Sequence, residues 1–176
     1  GLTRVEHVQL VGGDYEHALG LETERDGMRF QYTHGSPSAI FGKMIAERCY
    51  EACEFSLANL IILKSKGADW LSAIPVFPNR AFRHNTLFVP RDSDIHKPED
   101  LRGRRLAVED YSMTAAVWIR GLLNDEYGVS WRDISWYCDN RQGRFPTPAD
   151  ADVTLVEDDP ETLLEQGRVD AMMSFG

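Results

Sequence analysis

The order of strand-like and helix-like segments constrains the fold of this 176-residue chain more than any other feature. The two kinds of segment alternate along most of the sequence, and such alternation is typical of parallel sheets with helical crossovers. The sequence therefore predicts an α/β fold. The predicted strands are residues 6–12, 28–34, 50–55, 70–77, 85–90, 104–110, 133–139, 152–157 and 169–175.

The predicted helices have recognisable signals at their ends. Ser36 with Pro37 begins one helix, Ser56 caps a second that Gly67 ends, and Gly128 ends the longest one. Each signal supplies or replaces a backbone hydrogen bond that the end of a helix leaves unmade. The predicted helices are residues 36–48, 56–67, 97–103, 112–128 and 159–167.

Two predicted strands between residues 71 and 90 look antiparallel and interrupt the alternation. This interruption suits a connection that passes from one α/β lobe to a second. We therefore predict a first lobe at residues 1–92 and a second, incomplete lobe at residues 93–176, with a cleft between lobes as the default ligand site. The chain also stops at Gly176 directly after a predicted core strand, so we expect it to be the first part of a longer protein.

The composition is that of a soluble globular protein, with 43% hydrophobic and 27% charged residues. A formal net charge of −9 argues against nucleic acid and against an anionic membrane surface as partners. It does not argue against a small anion, because local charge determines a binding site. We expect no signal peptide and no membrane span. Cys49, Cys53 and Cys138 are interpreted as buried reduced thiols, without metal or redox spacing.

The segment IPVFPNRAFRHNTLFV, residues 74–89, places three cationic or titratable side chains between two apolar runs. Arg80, Arg83 and His84 form either a solvated connection or one wall of an anion site. A guanidinium can bind both oxygens of a carboxylate, and an imidazole is suited to general acid catalysis near neutral pH. If residues 81–90 form a strand, Arg83 and His84 point to opposite faces, so that only one of them can face a given cleft.

A second candidate site lies where the strand RRLAVED runs into the longest predicted helix. Ser112 and Thr114 stand at the first turn of that helix, where free N–H groups favour anions. The alternative is that Ser112 only caps the helix. Ser56 occupies the matching position in the first lobe, with the same alternative. His34 ends a predicted strand, and among the remaining histidines it is the best candidate for a further site residue.

Glu54 and Glu109 lie near the ends of their predicted strands, where acid–base residues often occur. An exposed carboxylate without a catalytic role is the alternative for each of them.

Five segments of the chain resemble the 4,5-dihydroxyphthalate decarboxylase family. Residues 74–89 and DLRGRRLAVEDYSMTAAVWIRGLLNDEYGV, residues 100–129, resemble it closely; GGDYEHALG, CEFSLANLIILKSKG and LLEQGRVDAMM match it more loosely and in the expected order. The resemblance covers nearly the whole chain. It implies two α/β lobes hinged over a central cleft, as in the type II periplasmic binding proteins, and a polypeptide longer than this one.

The resemblance also implies a carbon–carbon lyase that converts 4,5-dihydroxyphthalate into protocatechuate. The reaction route requires no organic cofactor, the sequence shows no set of metal ligands, and assistance by a divalent metal stays open. We expect the enzyme to be cytoplasmic. In this hypothesis Arg80 or Arg83, together with Ser112 and Thr114, clamps the carboxylates. His84 donates the proton, and Glu109 or Glu54 lies nearest the phenols. The expected catalytic residues are His84, Glu109 and Arg83, and the expected substrate-binding residues are Arg80, Ser112, Thr114, Tyr111, Ser56, Asp14 and His34.

One departure from the family pattern bears on the substrate. The family commonly has Arg and Thr where this chain has His17 and Ala18, so a different aromatic acid is an alternative. The second class of function is a non-catalytic solute-binding protein for a small organic anion, because the same fold and anion site serve both. Assembly into a homo-oligomer is a further possibility that the sequence leaves undecided.

Overall fold

The computed structural model describes the backbone of residues 5–175 and all their side chains except that of Leu19. The chain divides into two compact units, one ending at Arg80 and the other beginning at Ala81. The boundary predicted after residue 92 therefore lies inside the second unit. Residues 1–4 and 176, which the predicted lobes include, lie outside the described residues.

The first unit contains a four-stranded sheet with two helices. The strand order is β2-β3-β1-β4, in which β1 is parallel to both β3 and β4, and β2 is antiparallel to β3. A 3₁₀ helix, which the sequence did not predict, follows β1 at Glu16–Leu21. The elements are β1 (Glu6–Gly12), β2 (Glu24–Arg25), β3 (Met28–His34), α1 (Pro37–Glu47), β4 (Ala52–Cys53) and α2 (Leu57–Ser65).

The predicted helix starts in the first unit differ in how they are capped. Ser56 caps α2 as predicted, because its Oγ accepts a hydrogen bond of 3.3 Å from the backbone N–H of Asn59. Ser36 occupies the capping position of α1 but makes no side-chain cap bond, and Pro37 follows as the first helical residue. In α1, therefore, the fixed φ of proline is the start signal that the structure uses.

The second unit contains a five-stranded sheet in the order β5-β9-β6-β7-β8. Its strands are parallel except for β5, which pairs antiparallel with β9. The predicted parallel sheets are confirmed in both units. The elements are β5 (Leu87–Phe88), β6 (Arg105–Val108), α3 (Thr114–Tyr127), β7 (Ser135–Asp139), β8 (Val153–Val156), α4 (Pro160–Glu165) and β9 (Ala171–Met173), with 3₁₀ helices at Pro98–Leu101 and Trp131–Asp133.

The core of the second unit surrounds β6, whose Leu106, Ala107 and Val108 have no exposed surface. Such burial on both faces is expected for a central parallel strand covered by helices. One face of α3 packs against this core through Ala115, Ala116, Ile119 and Leu123, which follow helical spacing. Each large apolar side chain buried there contributes about 1.5–3 kcal/mol to stability. This packing fixes the position of the turn from β6 into α3.

The prediction of a strand at residues 70–77 is wrong. None of these residues lies in a strand, and the N–H of Val76 instead bonds the carbonyl oxygen of Ile74 at 2.7 Å in a tight turn. Pro75 and Pro78 explain the difference, because proline has no N–H to donate to a sheet ladder. The partner of β5 is therefore β9, and the expected antiparallel pair at residues 71–90 does not form.

The helices of residues 5–175 include none that combines the length and the apolar character of a membrane span.

Candidate functional site

The carboxyl ends of β1 and β4 in the first unit bring Glu54 against the Gly12–Gly13 turn. One Glu54 oxygen accepts a hydrogen bond of 2.8 Å from the N–H of Gly13, and the other accepts one of 2.8 Å from the hydroxyl of Tyr15. These strands are parallel and adjacent, so their carboxyl ends meet at one edge of the sheet. Glu54 is half-buried there.

Two phenols enclose the backbone at this edge. Tyr32, on β3, donates its hydroxyl hydrogen to the carbonyl oxygen of Gly13. A Cβ atom at Gly12 would lie 2.5 Å from the Tyr32 hydroxyl oxygen, and one at Gly13 would lie 2.5 Å from Cζ of Tyr15. Only glycine therefore leaves room for both phenols.

His17 connects Tyr15 with the segment that follows α2. The two rings stack with centroids 5.2 Å apart and planes 4° from parallel. Nε2 of His17 lies 2.7 Å from the carbonyl oxygen of Pro78. In this chain His17, which departs from the family pattern, therefore supports the Tyr15 ring.

Burial raises the pKa of both phenols at this edge. For Tyr15 the burial effect is reinforced by the hydrogen bond to Glu54 and by the charge of Glu54. For Tyr32 the charges of Glu54 and Asp14 add to the burial effect on the pKa. Both hydroxyls consequently stay protonated at neutral pH and act as hydrogen-bond donors.

The other residues predicted in the first unit lie in different surroundings. Asp14 and His34 are exposed, at the ends of β1 and β3. Ser56 is buried, and its Oγ caps the first turn of α2. Arg80 is exposed, with its guanidinium 5.1 Å from the ring centroid of Phe77.

In the second unit Arg83 and His84 line one open hollow of about 680 Å³. Residues 83–86 form a turn, in which the carbonyl oxygen of Arg83 accepts hydrogen bonds from the N–H and the Oγ1 of Thr86. Arg83 and His84 therefore precede β5 and do not lie in a strand, so the condition under which they would point to opposite faces is not met. The Arg83 guanidinium lies 5.0 Å from the ring centroid of Phe175, and the His84 ring lies 6.2 Å from that of Phe82.

The turn from β6 into α3 is organised by Asp110, a buried residue that sequence reasoning missed. Asp110 accepts hydrogen bonds from Oγ of Ser112 at 2.6 Å and from its N–H at 3.1 Å. Nη1 of Arg144 lies 3.4 Å from the same carboxylate. The Arg144 side chain is 11% exposed and the Asp110 side chain is 5% exposed. Met113 occupies the capping position of α3, so the alternative that Ser112 is only a helix cap is wrong.

Glu109 lies at the end of β6 among other acidic groups. Glu109 is exposed as a residue, but its carboxyl group is partly desolvated, which raises its pKa. The charges of Glu161 and Asp139 add to this rise in pKa, while Arg144 acts in the opposite direction. The backbone N–H of Asp139 bonds the carbonyl oxygen of Glu109 at 3.1 Å, which joins the carboxyl ends of β6 and β7. Asp139 is paired with Arg141, which lowers the pKa of Asp139.

Tyr111 and Thr114 complete the residues predicted at this turn. Tyr111 is 7% exposed, and its ring packs edge-on against Trp136 in the core. The guanidinium of Arg120 lies 3.9 Å from the Tyr111 ring centroid, and its Nη1 is buried without a hydrogen-bond partner in the described part of the chain. Thr114 is the first residue of α3 and is half-buried.

Sequence reasoning singled out neither the phenols of the first unit nor the ion pair of the second as site residues. Tyr15 stands next to the predicted Asp14, and Asp110 directly follows Glu109, so both adjacencies were available as signals. Arg144 belongs to a polar, proline-rich segment whose place beside β6 has no local signal. Within residues 5–175, no three His, Cys, Asp or Glu side chains are arranged to hold a metal ion.

The comparison with solved structures defines the class of this fold. The periplasmic aliphatic sulphonate-binding protein SsuA of Escherichia coli matches with a TM-score of 0.57 and 18% identity, over 96% of this chain and 51% of that one. The alkanesulfonate-binding protein SsuA of Xanthomonas axonopodis pv. citri, bound to MOPS, matches with a TM-score of 0.56 and 17% identity, over 95% and 53%. The predicted α/β fold of the type II periplasmic binding proteins is confirmed.

Sequence comparison gives the particular relatives. A 4,5-dihydroxyphthalate decarboxylase of Comamonas testosteroni is 37% identical over 127 residues, which are 70% of this chain and 38% of that protein. A 4,5-dihydroxyphthalate decarboxylase of Pseudomonas putida is 32% identical over 164 residues, which are 86% of this chain and 62% of that protein. The predicted resemblance to this family is thus confirmed, over less than two thirds of either relative. No family model matches the chain.

Proposed function

We propose that this protein is a carboxy-lyase that decarboxylates a hydroxylated aromatic acid, with 4,5-dihydroxyphthalate as the substrate and protocatechuate as the product. The observation that supports this proposal is the identity of 37% and 32% to two proteins named 4,5-dihydroxyphthalate decarboxylase. The fold alone does not decide function, because the same scaffold serves binding proteins and enzymes.

The proposed reaction replaces a carboxylate on the ring by a proton. Each carboxylate-bearing carbon of the substrate is para to a hydroxyl group, so electron density from the phenol favours protonation of that carbon. The C–C bond then breaks, its electron pair returns to the ring, and CO₂ leaves. In sum, Ar–COO⁻ and H⁺ give Ar–H and CO₂. The site must therefore hold the remaining carboxylate, interact with the phenols and deliver one proton.

The hollow of the second unit supports the assignment of Arg83 and His84. Both side chains line it, so a guanidinium for a carboxylate and an imidazole for proton donation occur within one unit. We assign Arg83 to carboxylate binding and His84 to proton donation. Arg80, Ser112 and Thr114 are proposed as further contacts to the substrate, and Asp14, His34, Ser56 and Tyr111 stay predictions.

Glu109 and Glu54 are proposed as the carboxyl groups nearest the phenols. The surroundings of Glu109 raise its pKa, which favours its use in proton exchange closer to neutral pH. Glu54 already accepts a phenolic hydrogen bond from Tyr15. The hinged cleft, the cytoplasmic location and the homo-oligomer stay predictions as well.

The experiment uses the full-length protein, mixed with 4,5-dihydroxyphthalate and with a panel of hydroxybenzoic and phthalic acids. Released CO₂ is followed over time. We expect turnover of 4,5-dihydroxyphthalate, and turnover of another acid alone would correct the substrate. Tight binding without CO₂ from any acid would contradict the lyase and support the alternative, a solute-binding protein for a small organic anion.

A pair of arginine variants tests the assignment of the hollow. Arg83→Ala should lower kcat/KM for CO₂ release by roughly 10- to 100-fold, the effect of losing a hydrogen bond to a charged group. Arg91→Ala is the matched control, because Arg91 is exposed and does not line the hollow. Unchanged turnover in Arg83→Ala would remove Arg83 from the site.

A further inference from the structure

We propose that Tyr15 and Glu54 form a recognition site for a phenolic hydroxyl group of the ligand. This inference rests on the proposed function for the identity of the ligand, and it adds the pair of residues that recognises one functional group of that ligand. Its basis is the arrangement of Glu54, Tyr15 and Gly13 at the carboxyl end of β1 and β4.

The Glu54 carboxylate has capacity for a further donor. A carboxylate offers about four lone-pair positions. Gly13 and Tyr15 each donate one hydrogen bond to it, to different oxygens. Glu54 is half-buried rather than enclosed, so part of its side chain is open to solvent.

The pair is held in place before any ligand arrives. The Gly13 N–H and the Tyr15 hydroxyl fix both oxygens of Glu54 at 2.8 Å. The Tyr15 ring is fixed in turn by the stacked ring of His17, which also bonds Pro78. Fixed acceptors lose little conformational entropy on binding, so selectivity for a correctly placed donor is high.

The charge of this edge suits a hydroxyl and disfavours a carboxylate. Glu54 and Asp14 are both acidic, and the charge of each raises the pKa of Tyr32. A ring carboxylate brought here would be repelled, whereas a phenol O–H would donate a charge-assisted hydrogen bond. The first unit is thus suited to the hydroxyl end of a dihydroxylated acid.

The test compares ligands that differ only in their hydroxyl groups, by calorimetric titration of the full-length protein. Protocatechuate, which carries two hydroxyls, should bind at least about 10-fold more tightly than benzoate, which carries none. Tyr15→Phe and Glu54→Gln should each reduce this ratio of Kd values by several-fold. A merely structural role would weaken both ligands equally and leave the ratio unchanged.

Tyr50→Phe is the matched control, because Tyr50 precedes β4 and lies near Lys43, at the amino end of that strand. It should keep the wild-type ratio. A crystal structure of the wild-type protein with protocatechuate provides a measurement that needs no variant. A hydroxyl oxygen within hydrogen-bond distance of Glu54 supports the site.

Three results would overturn the inference: equal wild-type affinity for both ligands, an unchanged ratio in both variants, or hydroxyls bound away from Glu54. These results are distinguishable from failure of the proposed function, which is judged by CO₂ release. Turnover with an unchanged ratio removes the site and keeps the lyase. A ratio that falls without any turnover keeps the site and removes the lyase.

Discussion

Replacing Asp110 with Asn should destabilise the second unit, because it removes a buried carboxylate that Arg144 contacts. Asp110 is 5% exposed and Arg144 is 11% exposed. Loss of one member of a buried ion pair typically costs about 3–5 kcal/mol, since the other charge keeps its desolvation cost. The contact is long at 3.4 Å, and the charge of Glu109 also acts on Arg144. We therefore expect a loss of about 2–3 kcal/mol in the free energy of unfolding.

The chain offers a close control in Asp139. Its carboxylate is 3% exposed, it accepts a hydrogen bond from the backbone N–H two residues later, and it pairs with Arg141. Asp110 is likewise buried, and it accepts a hydrogen bond from the backbone N–H of Ser112, two residues later. The difference is that Arg141 is 57% exposed and keeps its hydration when the pair is broken. Asp139→Asn should therefore cost clearly less than Asp110→Asn.

Urea unfolding followed by tryptophan fluorescence measures both variants, because Trp131 and Trp136 lie in the second unit. The free energies of unfolding are compared only if the variants share the wild-type m value, the slope of that free energy against urea concentration. A changed m value would indicate a change in the unfolded state. Equal losses for the two variants would refute the argument from the burial of arginine. So would a loss below about 1 kcal/mol for Asp110→Asn.

Three further outcomes follow from local geometry. Gly13→Ala should destabilise the first unit by about 1–3 kcal/mol in urea unfolding, since the new Cβ meets a tyrosine ring at 2.5 Å. Gly42 lies on α1 with open space around it, so Gly42→Ala should instead stabilise the first unit by about 0.5–1 kcal/mol. A Gly13→Ala variant more stable than Gly42→Ala would contradict the contact between Gly13 and Tyr15. Folding raises the pKa of Glu109 above its ordinary value of 4.5, so the folded protein holds this proton more tightly than the unfolded chain does. The contribution of this carboxyl to stability therefore falls as the pH rises from 4.5 through the raised pKa. Glu109→Gln should flatten that fall in urea unfolding measured as the pH rises above 4.5, and an unchanged pH dependence would contradict it. Cys49 is exposed, so its interpretation as a buried thiol is wrong. Iodoacetamide at mild alkaline pH should label Cys49 and spare buried Cys138, whose pKa burial raises to about 12; labelling of Cys138 before Cys49, detected by mass spectrometry, would contradict this.

The sequence predicts most of this fold because its signals are local. The strands at 6–12 and 28–34 have the bounds that the structure shows, and Gly128 ends α3 in the left-handed conformation expected of it. The failure at residues 70–77 has a local cause as well, since Pro75 and Pro78 cannot donate to a ladder. At these residues the missing N–H groups outweigh the apolar pattern.

The site is harder to predict because its contacts join distant parts of the chain. Tyr15 and Glu54 are 39 residues apart, and Asp110 and Arg144 are 34 apart. Sequence reasoning placed Glu54 and Glu109 at strand ends, which the structure confirms. It did not identify their partners, because that requires knowing which strands are neighbours in the sheet.

The position of β9 in the second sheet has a consequence for synthesis. β9 lies between β5 and β6, so residues 87–88 and 105–108 stay unjoined until residues 171–173 leave the ribosome. During that interval β6 has an open edge that can pair with another nascent chain. At about 5–20 residues per second the interval lasts several seconds. The second sheet is therefore completed in its interior, by the insertion of β9 between β5 and β6, rather than by addition of a strand at an edge.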